Sequence, residues 1–241
     1  LNNYPNCEKG SNEYIDIHDP STGDKIGLVK NSNKNDLDYI IDKAKNAYLS
    51  WSRETPLKRS RIIAKYKDLI LSNINELAKL VSSEHGKTLD DSKGSIQRGV
   101  EVVEFASGIP HLLKGEFSEN VGTNIDSWSI RQPLGICAGI TPFNFPAMVP
   151  LWMYPISIAC GNVFILKPSE KDPSCSIKLA ELFIEAGLPE GVFNVINGDK
   201  EVVNSLLNNN NISSISFVGS TPVARHIYET SAKNGKRVQA L

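Results

Sequence analysis

Three short segments of this 241-residue chain combine residue types that can do chemistry, and each follows an apolar run. In Thr141-Pro142-Phe143-Asn144-Phe145-Pro146 the reactive candidate is the amide of Asn144. A side-chain N–H presented there can donate to an oxygen on which negative charge develops, which lowers a barrier by about 2.7 to 4 kcal/mol. The same residues also read as a proline-bounded turn with two aromatic rings directed inward. In Leu166-Lys167-Pro168-Ser169-Glu170 a cation and a carboxylate stand close together. Beyond a strand of a dinucleotide-binding sheet, such a carboxylate accepts hydrogen bonds from the adenosine ribose and repels a 2′-phosphate. Glu170 therefore favours NAD over NADP, and Lys167 can donate to the same ribose. On spacing alone the pair equally fits an exposed loop in which both charges are hydrated. In Phe217-Val218-Gly219-Ser220-Thr221-Pro222 a strand leads through Gly-Ser into a helix. Backbone N–H groups, the Ser220 hydroxyl and the positive helix end then converge on one point, which suits a pyrophosphate. Gly219 could also serve just to shape the turn, and the ordinary GxGxxG fingerprint is absent.

The four cysteines, Cys7, Cys137, Cys160 and Cys175, show no CxxC spacing, so neither a metal site nor a disulfide framework is expected. A reducing, intracellular compartment is the default. Cys137 and Cys160 read as small buried apolar residues in a strand and a helix, Cys7 falls in the entry segment, and Cys175 follows a turn. With 26 basic and 27 acidic residues the net charge is -1, which leaves no clustered basic surface for nucleic acid or an anionic membrane. The longest apolar stretch, Phe145 to Cys160, falls short of the roughly 20 residues a spanning helix needs and is broken by Pro146, Pro150 and Pro155. Small molecules remain as the expected partners. The chain begins with Leu1 and shows no basic-then-apolar leader, so its sequence is silent on a cleaved targeting peptide.

The elements that must position the three segments follow from periodicity. Residues 1–35 read as an entry segment with short strand-like pieces and turns at Asp19-Pro20 and Thr22-Gly23. Residues 36–121 are expected to be mainly helical. Leu37, Ile40, Ile41, Ala44, Ala47, Tyr48 and Trp51 recur at helical spacing, Thr55-Pro56 marks a second helix start, and Ile96, Val100 and Val103 form a later stripe. Residues 122–133 read as a hairpin arm for oligomerisation, because Asn124 to Arg131 alternates polar and apolar types. In residues 134–241 the runs Leu134 to Ile140, Val163 to Lys167, Val192 to Ile196 and Ile212 to Val218 alternate with helical periods. That pattern predicts a doubly wound, parallel α/β sheet, whose ligands bind at the carboxyl ends of its strands. The fold class is thus α/β, with a helical N-terminal portion and a β-hairpin arm.

The run Arg131-Gln132-Pro133-Leu134-Gly135, then TPFNFPAMVPLWMYPISIACGN, KPSE, Gly187-Leu188-Pro189-Glu190-Gly191-Val192-Phe193-Asn194 and FVGSTP resembles the aldehyde dehydrogenase superfamily, in that order and over nearly the whole chain. Within it, PFNFPAMVPLWM, IACGN and the closing Gly235-Lys236-Arg237-Val238-Gln239-Ala240 are similar to the CoA-acylating methylmalonate-semialdehyde dehydrogenases. The resemblance implies a Rossmann-like cofactor domain at 134–241 and Asn144 as the side-chain half of an oxyanion hole. It assigns Thr141, Pro142, Phe143, Lys167, Ser169, Glu170, Gly219 and Ser220 to NAD. The family's usual second glycine of the last turn falls on Ala224, a departure. Arg98 lies about 200° round its helix from Ile96, where an arginine is usually solvated; the resemblance makes it a clamp for a substrate carboxylate, which two parallel guanidinium donors suit.

Hydrolytic members carry a water-activating Glu shortly after the position of Val238, where this chain has Ala240 or Leu241. That fits a thioester released by a thiol, which needs less activation than water. The resemblance accordingly implies NAD with coenzyme A as co-substrate, a homo-oligomer, a place in valine breakdown, and a bacterial cytoplasm or mitochondrial matrix. It also places the nucleophilic cysteine and its catalytic domain beyond residue 241. A hydrolytic semialdehyde dehydrogenase and a non-catalytic nucleotide-binding module stay open as alternatives, since fold alone never implies chemistry.

Overall fold

The computed structural model describes residues 14–241. Cys7 and the first part of the entry segment lie outside the described residues. The entry begins with an antiparallel ribbon, β1 (Tyr14–His18) with β2 (Lys25–Lys30).

Four helices follow, and side-chain caps start the first, second and fourth of them. In α1 (Lys34–Trp51), Asn33 accepts from the N–H groups of Asn35 and Asp36 while the Asp36 carboxylate accepts from the Asn33 N–H, a reciprocal cap that satisfies orphan donors. Leu37, Ile41, Ala44 and Trp51 turn inward on its apolar stripe. Thr55 caps α2 (Pro56–Ser72), with Pro56 in the first turn where its missing N–H costs nothing. Gly86, at φ 83, ends α3 (Ile74–His85) in a left-handed conformation that suits glycine. Thr88 then caps α4 (Leu89–Ser107).

The hairpin arm consists of β3 (Phe117–Gly122) and β4 (Ile125–Trp128), so its first strand lies inside the segment expected to be helical. Phe117-Ser-Glu-Asn-Val-Gly has no buried face and hence no periodic signature. Asn124, at φ 60, makes the turn, as a short polar side chain tolerates this region.

Beyond the arm, β5 (Ile136–Ile140), α5 (Met148–Ala159), β6 (Val163–Lys167), α6 (Ser174–Glu185), β7 (Phe193–Val195), α7 (Lys200–Asn208), β8 (Ile212–Phe217), α8 (Thr221–Lys233) and β9 (Arg237–Ala240) alternate. The strands form one parallel sheet in the order β7-β6-β5-β8-β9. β5 and β6 are buried along their whole length, as strands covered on both faces must be. β5 starts after Gly135 because the Asn162 side chain accepts from the N–H groups of Leu134 and Gly135 at 2.6 and 3.1 Å. The fifth strand, β9, was not expected: Arg-Val-Gln-Ala is half polar and half exposed, and it lies at the sheet edge. Among the described residues no helix is long and apolar enough to cross a membrane.

Candidate active site

Sheet register brings the three chemical segments to one edge. In the pairing of β5 with its neighbours, Ile140 stands opposite both Lys167 of β6 and Phe217 of β8. The Thr141 N–H donates to the Lys167 carbonyl at 3.1 Å and the Val218 N–H to that of Ile140 at 3.3 Å, so all three segments leave the sheet at its carboxyl side. β9 adds a fourth. Leu241 donates to the Phe217 carbonyl and accepts from the Gly219 N–H, each at 3.0 Å, which puts the position after Ala240 beside the Gly-Ser turn.

The Asn144 loop is gripped by two lysines from outside it. Lys87, between α3 and α4, donates to the Asn144 main-chain carbonyl at 2.7 Å and lies 3.8 Å from the Phe145 ring centroid. Lys171 lies 4.5 Å from the centroid of Phe143, a ring that is itself half exposed. Such cation–ring contacts contribute about 0.5 to 1 kcal/mol at exposed sites. The Asn144 side-chain amide is exposed and makes no hydrogen bond among the described residues. Thr141 is buried with its hydroxyl unpaired, and Pro142 is half-buried.

On the neighbouring strand end, Lys167 donates to a Glu170 carboxylate oxygen at 2.8 Å. The lysine is buried, the glutamate partly exposed. Burial works against the Glu170 charge, but the hydrogen bond and charge of Lys167 more than offset it, so its carboxyl is held below the usual range. Ser169 accepts from the Lys171 N–H at 3.1 Å and shapes this turn.

At the third strand end, Gly219 and Ser220 are exposed. A Cβ at Gly219 would lie 2.4 Å from the tip of the Phe217 ring, so a larger residue here would have to displace that ring. Ser220 occupies the cap position of α8 yet its hydroxyl makes no capping bond, which leaves it available where the helix end attracts anions. Ala224 packs against the core, and its N–H is engaged by the Ser220 carbonyl at 2.9 Å. A carboxylate beside a buried ammonium at one strand end and an uncommitted hydroxyl at a helix start on another fit the ribose and the pyrophosphate of a dinucleotide.

Arg98 is exposed on α4, with no hydrogen bond or ion pair among the described residues. Its helix approaches α5 closely at the next residue, where a Cβ on Gly99 would lie 2.5 Å from Leu151 Cδ1. The described cysteines hold no ready nucleophile. Cys137 is buried in β5, Cys175 is buried within the first turn of α6, and Cys160 is half-buried at the end of α5. Burial pushes all three thiols up from their ordinary range, away from the thiolate that attacks. No metal-binding group of His, Cys, Asp or Glu occurs among the described residues.

One polar cluster escaped the sequence reading. Glu84, buried near the end of α3, accepts from the Ser174 N–H at 3.0 Å and from the Ser174 hydroxyl. Asp172 is 2% exposed, and neither of its oxygens makes a well-formed hydrogen bond, although the Ser169 side chain stands near enough to ease its ionisation. Burial and then the neighbouring Glu84 push its carboxyl up to about 8. A signal for Glu84 did exist: it continues the buried stripe of Leu77 and Val81 at helical spacing. Asp172 and Lys87 lie in loops, where periodicity carries no information.

Comparison with known proteins agrees with this architecture. Residues 7–241 match the aldehyde dehydrogenase family. A malonate-semialdehyde dehydrogenase from Pseudomonas aeruginosa is 55% identical, covering 94% of this chain and 46% of the relative. A structure from Sinorhizobium meliloti assigned to methylmalonate-semialdehyde dehydrogenase and complexed with NAD superposes with TM-score 0.93 at 54% identity, over 95% of this chain and 46% of that one. The methylmalonate-semialdehyde dehydrogenase structure from Oceanimonas doudoroffii gives TM-score 0.94 at 49% identity, over 96% of this chain and 48% of that one. The chain thus spans about half the length of the relatives it matches.

Proposed function

We propose, for a chain that belongs to the aldehyde dehydrogenase family, that it forms the cofactor half of an NAD-dependent, CoA-acylating malonate- or methylmalonate-semialdehyde dehydrogenase. The observation that carries this reading is the convergence of the Asn144 loop, the Lys167–Glu170 pair and the Gly219–Ser220 turn on one sheet edge. The names of the relatives and the NAD in one of their structures support the substrate class and the cofactor.

Bound NAD supplies a two-electron acceptor for hydride from the aldehyde carbon. Lys167 and Glu170 hold the adenosine ribose, and the Glu170 charge turns away a 2′-phosphate. The Ser220 hydroxyl and the first turn of α8 would hold the pyrophosphate, with Thr141, Pro142 and Phe143 as further cofactor contacts. When a cysteine thiolate attacks the aldehyde, negative charge develops on the carbonyl oxygen, and the uncommitted Asn144 amide donates to it. In this reading the thiolate belongs to the remaining half of the relatives' length, since the described cysteines are protonated by burial. Arg98 reads the substrate carboxylate. Ala240 and Leu241 offer no carboxylate to activate water, so coenzyme A takes the acyl group, giving acetyl-CoA or propionyl-CoA after loss of CO2.

The test is product analysis on the complete enzyme, this chain together with the half that completes its relatives' length. With NAD and malonate semialdehyde, acetyl-CoA should form and turnover should depend on CoA. Free acid formed at the same rate without CoA would favour the hydrolytic reading, and NAD binding without any turnover the non-catalytic one.

A further inference from the structure

The main-chain carbonyl of Asn144 is satisfied by a side chain from a different part of the molecule, and that side chain has little freedom of its own. Lys87 stands between the left-handed Gly86 that ends α3 and the Thr88 that caps α4. Its own carbonyl accepts from the Ser82 hydroxyl at 2.7 Å. Two neighbouring elements therefore fix its backbone before its side chain reaches the loop. The ammonium then makes two contacts with adjacent residues, 2.7 Å to the Asn144 carbonyl and 3.8 Å to the Phe145 ring centroid. Together they hold the peptide that joins the two residues, while the Asn144 amide stays unengaged. Half-buried, Lys87 gives up hydration to sit there, with the Asp91 carboxylate supporting its charge.

We propose that Lys87 is a positioning residue for the oxyanion donor: it fixes the backbone of Asn144 so that the side-chain amide meets the developing charge without first having to be ordered. An uncharged surface loop would have to reorganise at each turnover, and misplacement of a reacting group by about 1 Å can cost on the order of a hundredfold in rate. The inference rests on the reading of Asn144 given above, and the two fail separately.

A double-mutant cycle on the complete enzyme tests it, with kcat, KM for malonate semialdehyde and the NAD dissociation constant measured for Lys87→Met, Asn144→Ala and the pair. Lys87→Met is expected to lower kcat by about tenfold to a hundredfold, leaving the NAD dissociation constant unchanged. In the Asn144→Ala background the same substitution should change kcat by no more than about twofold, because a residue acting through another loses its effect when that other is gone. Equal losses in both backgrounds would overturn the proposal and make Lys87 a general support, and so would an unchanged kcat in Lys87→Met alone. An Asn144→Ala variant with full activity would instead sink the oxyanion reading, and this inference with it. Should Lys87→Met not fold, Lys87→Gln, which keeps a donor on a shorter arm, enters the same cycle with the same criteria.

Discussion

The Asn144 loop and the Arg98 face of α4 carry the two groups proposed to meet the substrate's aldehyde and its carboxylate, and they are built in opposite ways. The loop is pinned at Thr141 by the sheet, at Asn144 and Phe145 by Lys87 and at Phe143 by Lys171. Arg98 projects from a fixed helix with no partner among the described residues. A step that every aldehyde must pass through rewards a donor ordered in advance, because ordering it during reaction would raise the barrier. Recognition of one substrate's carboxylate allows the ligand itself to order the side chain. The pinned group should therefore act on all substrates and the unpinned one on a subset.

That contrast can be broken by kinetics on the complete enzyme. Asn144→Ala should lower kcat/KM for malonate semialdehyde and propionaldehyde alike, by about 10²- to 10³-fold. Arg98→Leu should lower it for malonate semialdehyde alone, by about 10- to 100-fold, the worth of a charge-assisted pair; equal losses for both aldehydes would make Arg98 structural. Glu170→Gln should reduce the preference for NAD over NADP by about tenfold, as one charge ceases to repel the 2′-phosphate, and an unchanged ratio of kcat/KM would remove Glu170 from cofactor selection.

A last effect concerns the stability of the pinned region rather than its kinetics. The Asp172 carboxyl, at about 8 in the fold, lies above its ordinary 3.8. The native state thus holds a proton that the unfolded chain releases, and stability falls as pH rises through about 8. Glu84 from α3, Lys87 from the following loop and Glu170 from its own loop face the group. Asp172→Asn, which cannot ionise, should make urea midpoints flatter between pH 6 and pH 9 by the equivalent of about 1 to 3 kcal/mol. Parallel pH profiles for the two proteins would show that Asp172 does not titrate in this window.

Much of the sheet was legible because β5 and β6 are continuous apolar runs between turn residues, and because register then obliges their carboxyl ends to meet. The helices were legible from caps such as Thr55-Pro56 and from stripes such as Leu37, Ile41 and Ala44. β9 and β3 were not, since Arg-Val-Gln-Ala and Phe-Ser-Glu-Asn-Val-Gly have no fully buried side and so no pattern for burial to select. Of the site, the strand-end motifs could be read in advance as candidates. The hold of Lys87 on Asn144 joins residues 57 positions apart, and nothing local in either segment announces it.

The strand order also implies a timetable for folding. β5 meets β6 after a single intervening helix, whereas β8 reaches the other side of β5 only after three helices and two strands have been made. Closing the longer loop costs more chain entropy before its contacts repay it. We therefore expect the Lys167–Glu170 end of the site to assemble before the Gly219–Ser220 end during refolding. Pulsed hydrogen exchange should show amides of β5 and β6 protected ahead of those of β8 and β9, and simultaneous protection of all four strands would contradict this order. A chain emerging stepwise from synthesis would, on the same timetable, complete the Lys167–Glu170 strand end while the Gly219–Ser220 turn is still unformed.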